Sequence, residues 1–99
     1  TADAQSRRAV ERDPASAVAR MDYAVFLAQQ NRPVDALKQM LACAREHPQN
    51  AEVQYRLGLS LIEIGQYRPA LRAMQKALKL DPQHAPAAEA ARQLQNYIR

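Results

Sequence analysis

Two histidines, one cysteine and a row of arginines and lysines are the side chains best equipped for chemistry in this sequence, and their spacing limits what each can do. His47 and His84 lie close to Pro48 and Pro82, in stretches that read as loops, and neither has Cys43 or a second metal ligand near it in sequence. Each reads as a loop or capping residue rather than a ligand. Cys43 is the sole cysteine, so it can form neither an internal disulfide nor a thiolate cluster, and it leaves the redox compartment open. Asp and Glu are scattered singly, and the only glycines are Gly58 and Gly65, which leaves no loop able to cradle a phosphate. The chain therefore does not read as an enzyme, and no catalytic residue, metal or cofactor is expected.

The basic row is better organised. Arg68, Arg72, Lys76 and Lys79 are spaced four, four and three apart, which keeps them on one helix face. Lys38 and Arg45 repeat two of these positions earlier in the chain. With a net charge of +4, this face would steer an acidic protein or a nucleic-acid backbone toward the chain. The plainer reading is a solvated convex face that keeps the protein dispersed. No aromatic residues alternate with the stripe to stack bases, so nucleic acid is the lesser partner.

Those side chains must be positioned by helices. Hydrophobic residues make up 47% of the 99, but only 5% are aromatic and Trp is absent, a balance that favours close-packed helices over sheets. The length suits one domain. No apolar run is long enough to span a bilayer and no signal-peptide pattern opens the chain. Direct membrane insertion is not expected, and a soluble protein of either cytoplasm or periplasm fits.

Sliding the sequence by 34 residues places Pro14 on Pro48 and Pro48 on Pro82. The same shift takes Ala17 to Ala51, Leu27 to Leu61, Ala36-Leu37 to Ala70-Leu71 and Met40 to Met74, which is the signature of a stacked repeat. Leu57, Gly58, Leu61 and Ile64 fall on one helical face, and Ala70, Leu71, Met74, Ala77 and Leu78 on another. Gly65 is placed to end one helix in the left-handed conformation, with Pro69 in the first turn of the next. Asn31 and Pro33 do the same in the earlier copy, and Ser16 and Asn50 are suited to N-caps. Helices are expected at about 2–12, 17–30, 33–46, 51–64, 67–80 and 86–98.

This pattern resembles the tetratricopeptide repeat, W-x2-L-G-x2-Y, then A-x3-F, then P. In the second copy Leu57-Gly58 take the Leu-Gly place, Leu61 the Tyr place, Ala70 and Met74 the Ala and Phe places, and Pro82 the last; Gln54 stands for Trp. The first copy is looser, with Arg20 for Trp and Tyr23-Ala24 for Leu-Gly, followed by Leu27, Ala36, Met40 and Pro48. The resemblance implies an all-α, right-handed α-solenoid of antiparallel helix pairs. Residues 1–14 would be the second helix of a partial repeat, 15–48 and 49–82 full repeats, and 83–99 a capping helix whose outward face turns polar at Arg92 and Gln95. Small residues at Ala24, Gly58, Ala36, Ala70, Cys43 and Ala77 would let helix backbones nest.

In that family the first helices of successive repeats line a concave groove that receives a peptide or a helix. On those helices this chain places a second apolar stripe, Tyr55, Leu59 and Ile62, which the shift maps onto Met21, Val25 and Ala28 and onto Glu89, Gln93 and Asn96. The groove should be apolar for two layers and polar at its end. Its partner would be another protein or peptide, apolar or amphipathic. Some family members grip a C-terminal carboxylate through Lys and Asn at these places, which here hold Met21, Val25, Tyr55 and Leu59. The competing readings are ordinary helix packing, or an appendage of a larger assembly whose groove is filled by flanking segments. The unpaired helix at 2–12, through Ala9 and Val10, is a candidate for self-association.

Overall fold

The computed structural model describes residues 16–98; the helix expected at 2–12, and the self-association assigned to it, lie outside them. Five helices follow one another: α1 (Ala17–Gln29), α2 (Pro33–Glu46), α3 (Ala51–Glu63), α4 (Tyr67–Leu80) and α5 (Ala85–Ile98). No strand occurs among the described residues. Each helix packs on the next, and α1 also touches α3 directly.

The turns that fold one helix back on the next are the same in both pairs. At the end of α1, Asn31 takes φ 60°; its N–H donates to the Ala28 carbonyl and the Arg32 N–H to the Leu27 carbonyl. At the end of α3, Gly65 takes φ 80°, with Gly65 N–H donating to Ile62 and Gln66 N–H to Leu61. Both are Schellman closures, which use a left-handed residue to satisfy the last helical carbonyls. Pro33 opens α2 at its first position, where the missing N–H costs nothing.

Between repeats the connection also recurs. The N–H of His47 donates to Cys43 and that of Asn50 to His47, as Asp81 does to Ala77 and His84 to Asp81. Three N-caps stand 34 residues apart, each accepting from the third helical N–H: Ser16 Oγ from Ala19 at 3.2 Å, Asn50 Oδ1 from Val53 at 3.2 Å and His84 Nδ1 from Ala87 at 3.1 Å. The repeat period is thus a period in hydrogen bonding as well as in apolar residues.

The core is two clusters. Tyr23, Ala24, Leu27, Ala36, Met40, Cys43 and Val53 form one, and Ala70, Met74, Ala77, Ala87, Ala91 and Leu94 the other. Helix α3 lies between them, with Leu57 against the first and Leu61 against the second. Of the face expected from Leu57, Gly58, Leu61 and Ile64, only Gly58 is buried and the other three are half-buried, because α3 divides its apolar side chains between two neighbours. At Gly58 the close approach is direct: a Cβ there would lie 2.7 Å from Met74 Cε and 3.3 Å from the Ala70 carbonyl oxygen.

The two Trp places are filled by polar side chains whose hydrogen bonds are met, one across the repeat boundary and one within its repeat. Gln54, only 4% exposed, donates from Nε2 to the Pro48 carbonyl at 3.3 Å. Arg20 donates to Gln39 Oε1 at 3.0 Å and lies 3.7 Å from the Glu46 carboxylate. A partly buried polar group keeps its place only when its hydrogen bonds are met.

Candidate functional site: two hollows on the first-helix face

Helices α1, α3 and α5 open each repeat or cap, and the hollows lie between them. The first, about 280 Å³, is lined by Met21, Ala24, Val25, Ala28 and Gln29 of α1, Met40 of α2, and Arg56, Leu59, Ser60 and Glu63 of α3. The second, about 470 Å³, is lined by Tyr55, Leu59 and Ile62 of α3, Tyr67 of α4, and Pro86, Glu89, Ala90, Gln93, Leu94 and Tyr97 of α5. Leu59 is a wall of both.

Of the residues assigned to the groove from sequence, Met21, Val25, Ala28 and Leu59 meet in the first hollow, and Tyr55, Leu59, Ile62, Glu89 and Gln93 in the second. Asn96 is exposed and lines neither. These apolar side chains are not wholly unclaimed: Met21 and Ala28 pack partly on the first core cluster, and Tyr55, Leu59 and Ile62 partly on the second. Packing between helices and the lining of a hollow use the same side chains here, one flank of each.

The far end of the groove differs from expectation. Glu89 and Gln93 are present, but Pro86, Ala90, Leu94 and Tyr97 make most of that wall apolar. Tyr97 is 71% exposed and meets Tyr67 edge to face, ring centres 4.7 Å apart. Sequence reasoning missed both tyrosines because they have no counterpart one period away: the shift puts Pro33 and Glu63 on Tyr67 and Tyr97. It also missed the polar rim of Arg56, Ser60 and Glu63, which lies one helical position or so beside the apolar stripe.

Several of the charged groups on this face pair with one another. Arg56 pairs with Glu52 at 3.0 Å, and the same carboxylate accepts from His84 Nε2 at 2.8 Å. Because His84 Nδ1 accepts from Ala87, the ring proton of the neutral tautomer sits on Nε2 and points at Glu52. That hydrogen bond, helped by the Arg56 contacts and opposed by burial, holds the Glu52 carboxyl below its ordinary value of 4.5. The His84 ring also lies 4.9 Å from that of Tyr55, so one side chain caps α5, bridges to α3 and backs the second hollow. One turn into α5, Glu89 bonds both Arg92 and Gln93.

Cys43 is fully buried, with its Sγ 3.8 Å from the Ala17 carbonyl, and burial above all pushes its thiol up from the ordinary value. A thiol held protonated in a packed site is a small core residue and not a nucleophile. Among the described residues no three metal-ligating side chains cluster, and no helix is long and apolar enough to cross a membrane. Lys38, Arg45, Arg68, Arg72, Lys76 and Lys79 are all exposed, on α2 and α4.

Residues 51–84 match the model of the tetratricopeptide repeat. The fold is similar to that of the first such repeat domain of Spaghetti (RPAP3) bound to the HSP90 peptide SRMEEVD, with a TM-score of 0.86 at 14% identity, over 94% of this chain and 74% of that one. It is also similar to YrrB, a tetratricopeptide-repeat protein with an unusual peptide-binding site, at TM-score 0.80 and 28% identity over 88% of this chain. For MamA the TM-score is 0.82 and the identity 19%, over 94% of this chain. The chain spans 45% of the YrrB chain and 54% of the MamA chain. A comparison with curated protein sequences finds no match. Residues 51–84 are a tetratricopeptide repeat, and the described helices stack as a tetratricopeptide-type α-solenoid, a fold that generally mediates protein–protein interaction.

Proposed function

We propose that this chain is a protein-interaction scaffold that receives an apolar or amphipathic peptide or helix along α1, α3 and α5. The observation that carries this reading is Leu59, which walls two adjacent hollows whose linings are mostly apolar. A ligand lying across α3 would seat one side chain on either side of it. Support for a polypeptide ligand comes from the Spaghetti domain, which holds a peptide on the same fold.

The acidic peptide SRMEEVD that the Spaghetti domain holds is not the kind of ligand expected here. Neither hollow is lined by Lys or Asn, and Arg56 already faces Glu52. Affinity should be modest. Each buried Leu-sized side chain yields about 1.5–3 kcal/mol, while association costs about 4–15 kcal/mol, so three or four contacts give binding of about micromolar at best.

The test is Leu59→Glu, which puts a charge into both hollows at once. Pull-down with the wild type and the variant, matched for helicity by circular dichroism, should show partners lost by the variant. Partners retained in full by a folded Leu59→Glu protein would end the groove reading.

A further inference from the structure

Helix α4 turns a face of one charge sign to solvent. On α4, Arg68, Arg72, Lys76 and Lys79 are exposed, and the helix contains no acidic residue. Its buried residues Ala70, Ala73, Met74 and Ala77 occupy the opposite side of the helical wheel, so the four cations point squarely outward. They form no ion pair among the described residues. The pairs that do form, Arg20–Glu46, Arg32–Asp35, Arg56–Glu52 and Arg92–Glu89, lie elsewhere. A face that served solubility alone would mix both signs. This one is a single-sign field about 16 Å long, from the helical rise over the eleven steps between Arg68 and Lys79.

The neighbouring outward face, on α2, supplies a second feature. Val34 is 55% and Leu41 45% exposed; they stand two turns apart on the helix face that also carries Lys38 and Arg45. Helix α2 is the second helix of its pair, as α4 is of the next, and the 34-residue shift takes positions 34, 38, 41 and 45 to 68, 72, 75 and 79, so the apolar pair and the cationic stripe hold equivalent exposed positions in successive repeats.

We infer that this surface docks an acidic amphipathic helix of a partner protein, its apolar side chains on Val34 and Leu41 and its carboxylates along the α4 stripe. The intervals of four, four and three are those of a helix, and a second helix carrying Glu at the same intervals has the same rise and stays in register over all four cations. A nucleic acid offers no apolar face to Val34 and Leu41, which is why a protein helix fits better. This site is separate from the groove and stands or falls independently of it.

The experiment uses the full chain and a synthetic helical peptide with Glu at those intervals and Leu on the adjoining face, followed by fluorescence anisotropy at low salt. Arg72→Glu with Lys76→Glu should weaken binding about tenfold or more, and added salt should weaken it steeply. Val34→Ser with Leu41→Ser should weaken it several-fold with little change in salt dependence. If charge reversal unfolds the chain, the milder Arg72→Gln with Lys76→Gln serves in its place. A Glu peptide that does not bind, a Gln version that binds equally well, or binding indifferent to the α4 substitutions each overturns the proposal. So does a DNA duplex or a phosphatidylserine vesicle that binds more tightly than the peptide and is lost with the same substitutions.

Discussion

Gly58 is where the nesting of α3 on α4 can be tested with one methyl group and then two more. An alanine Cβ would stand 2.7 Å from Met74 Cε, 3.1 Å from its Sδ and 3.3 Å from the Ala70 carbonyl oxygen. The first two atoms end a flexible side chain, and moving it off its rotamer costs about 0.5–1.5 kcal/mol. Alanine in a helix interior returns about 1 kcal/mol relative to glycine, so Gly58→Ala should change stability by no more than about 1 kcal/mol. Valine adds two γ-methyls on a stiff χ1, and Met74 alone cannot make room for them. The α4 backbone at Ala70 must retreat, at about 1–3 kcal/mol. Urea unfolding followed by circular dichroism reads the loss as a midpoint lower by roughly 0.5–2 M, at unchanged slope. Met74→Ala should cost about 2–5 kcal/mol alone and clearly less in the Gly58→Val background, with a coupling of about 0.5–3 kcal/mol. If valine costs no more than alanine, or the two substitutions simply add, the helices do not meet at Gly58 and the account of the layers is wrong.

The turns and caps give further expectations. Gly65 has nothing within 4 Å of a would-be Cβ, so Gly65→Ala tests the left-handed backbone alone; it should cost about 1–2 kcal/mol, and Gly65→Asn should cost less, as thermal unfolding would show. His84→Ala removes the cap of α5 and should cost about 0.5–2 kcal/mol at neutral pH, most of it recovered by His84→Asn. The Glu52 carboxyl is depressed in the folded state, so its contribution is present above the ordinary value of 4.5 and is lost as pH falls through the lower folded value. Wild type should therefore lose thermal stability more steeply than His84→Ala on going from about pH 5 to about pH 3, and parallel slopes would show that the His84–Glu52 bond does not form in solution.

The architecture was legible because its determinants are local and periodic. Asn31, Pro33, Gly65, Ser16 and Asn50 announced turns and caps by residue type alone, and all five take those roles in the structure. His84 was expected to serve as a loop or capping residue and does cap α5. Its alignment one period after Asn50 could have named that cap outright; its bond to Glu52 could not be foreseen, since it joins residues one repeat apart in sequence by a side-chain reach that periodicity does not encode. The candidate groove was legible in its apolar stripe, where period and burial coincide. It was not legible where identity breaks with the repeat, as at Tyr67, Ala90 and Tyr97, or where a side chain serves two contacts at once, as Leu59 does. Likewise, Gln54 and Arg20 revealed by type that the Trp places were polar, but not that Gln54 would bond the Pro48 carbonyl before its helix and Arg20 the Gln39 side chain on the next.

The three methionines provide the most direct test of the groove as a binding site. Met21 and Met40 line the first hollow, whereas Met74 is fully buried in the second cluster and lines neither hollow. With carbon-13 methyl labels on all three, titration with an apolar amphipathic helical peptide should shift the Met21 signal strongly and Met40 less and leave Met74 in place, and in Leu59→Glu it should shift none of the three. A peptide that binds while Met21 stays still, or that moves Met74 as much as Met21, would contradict a ligand seated between α1 and α3.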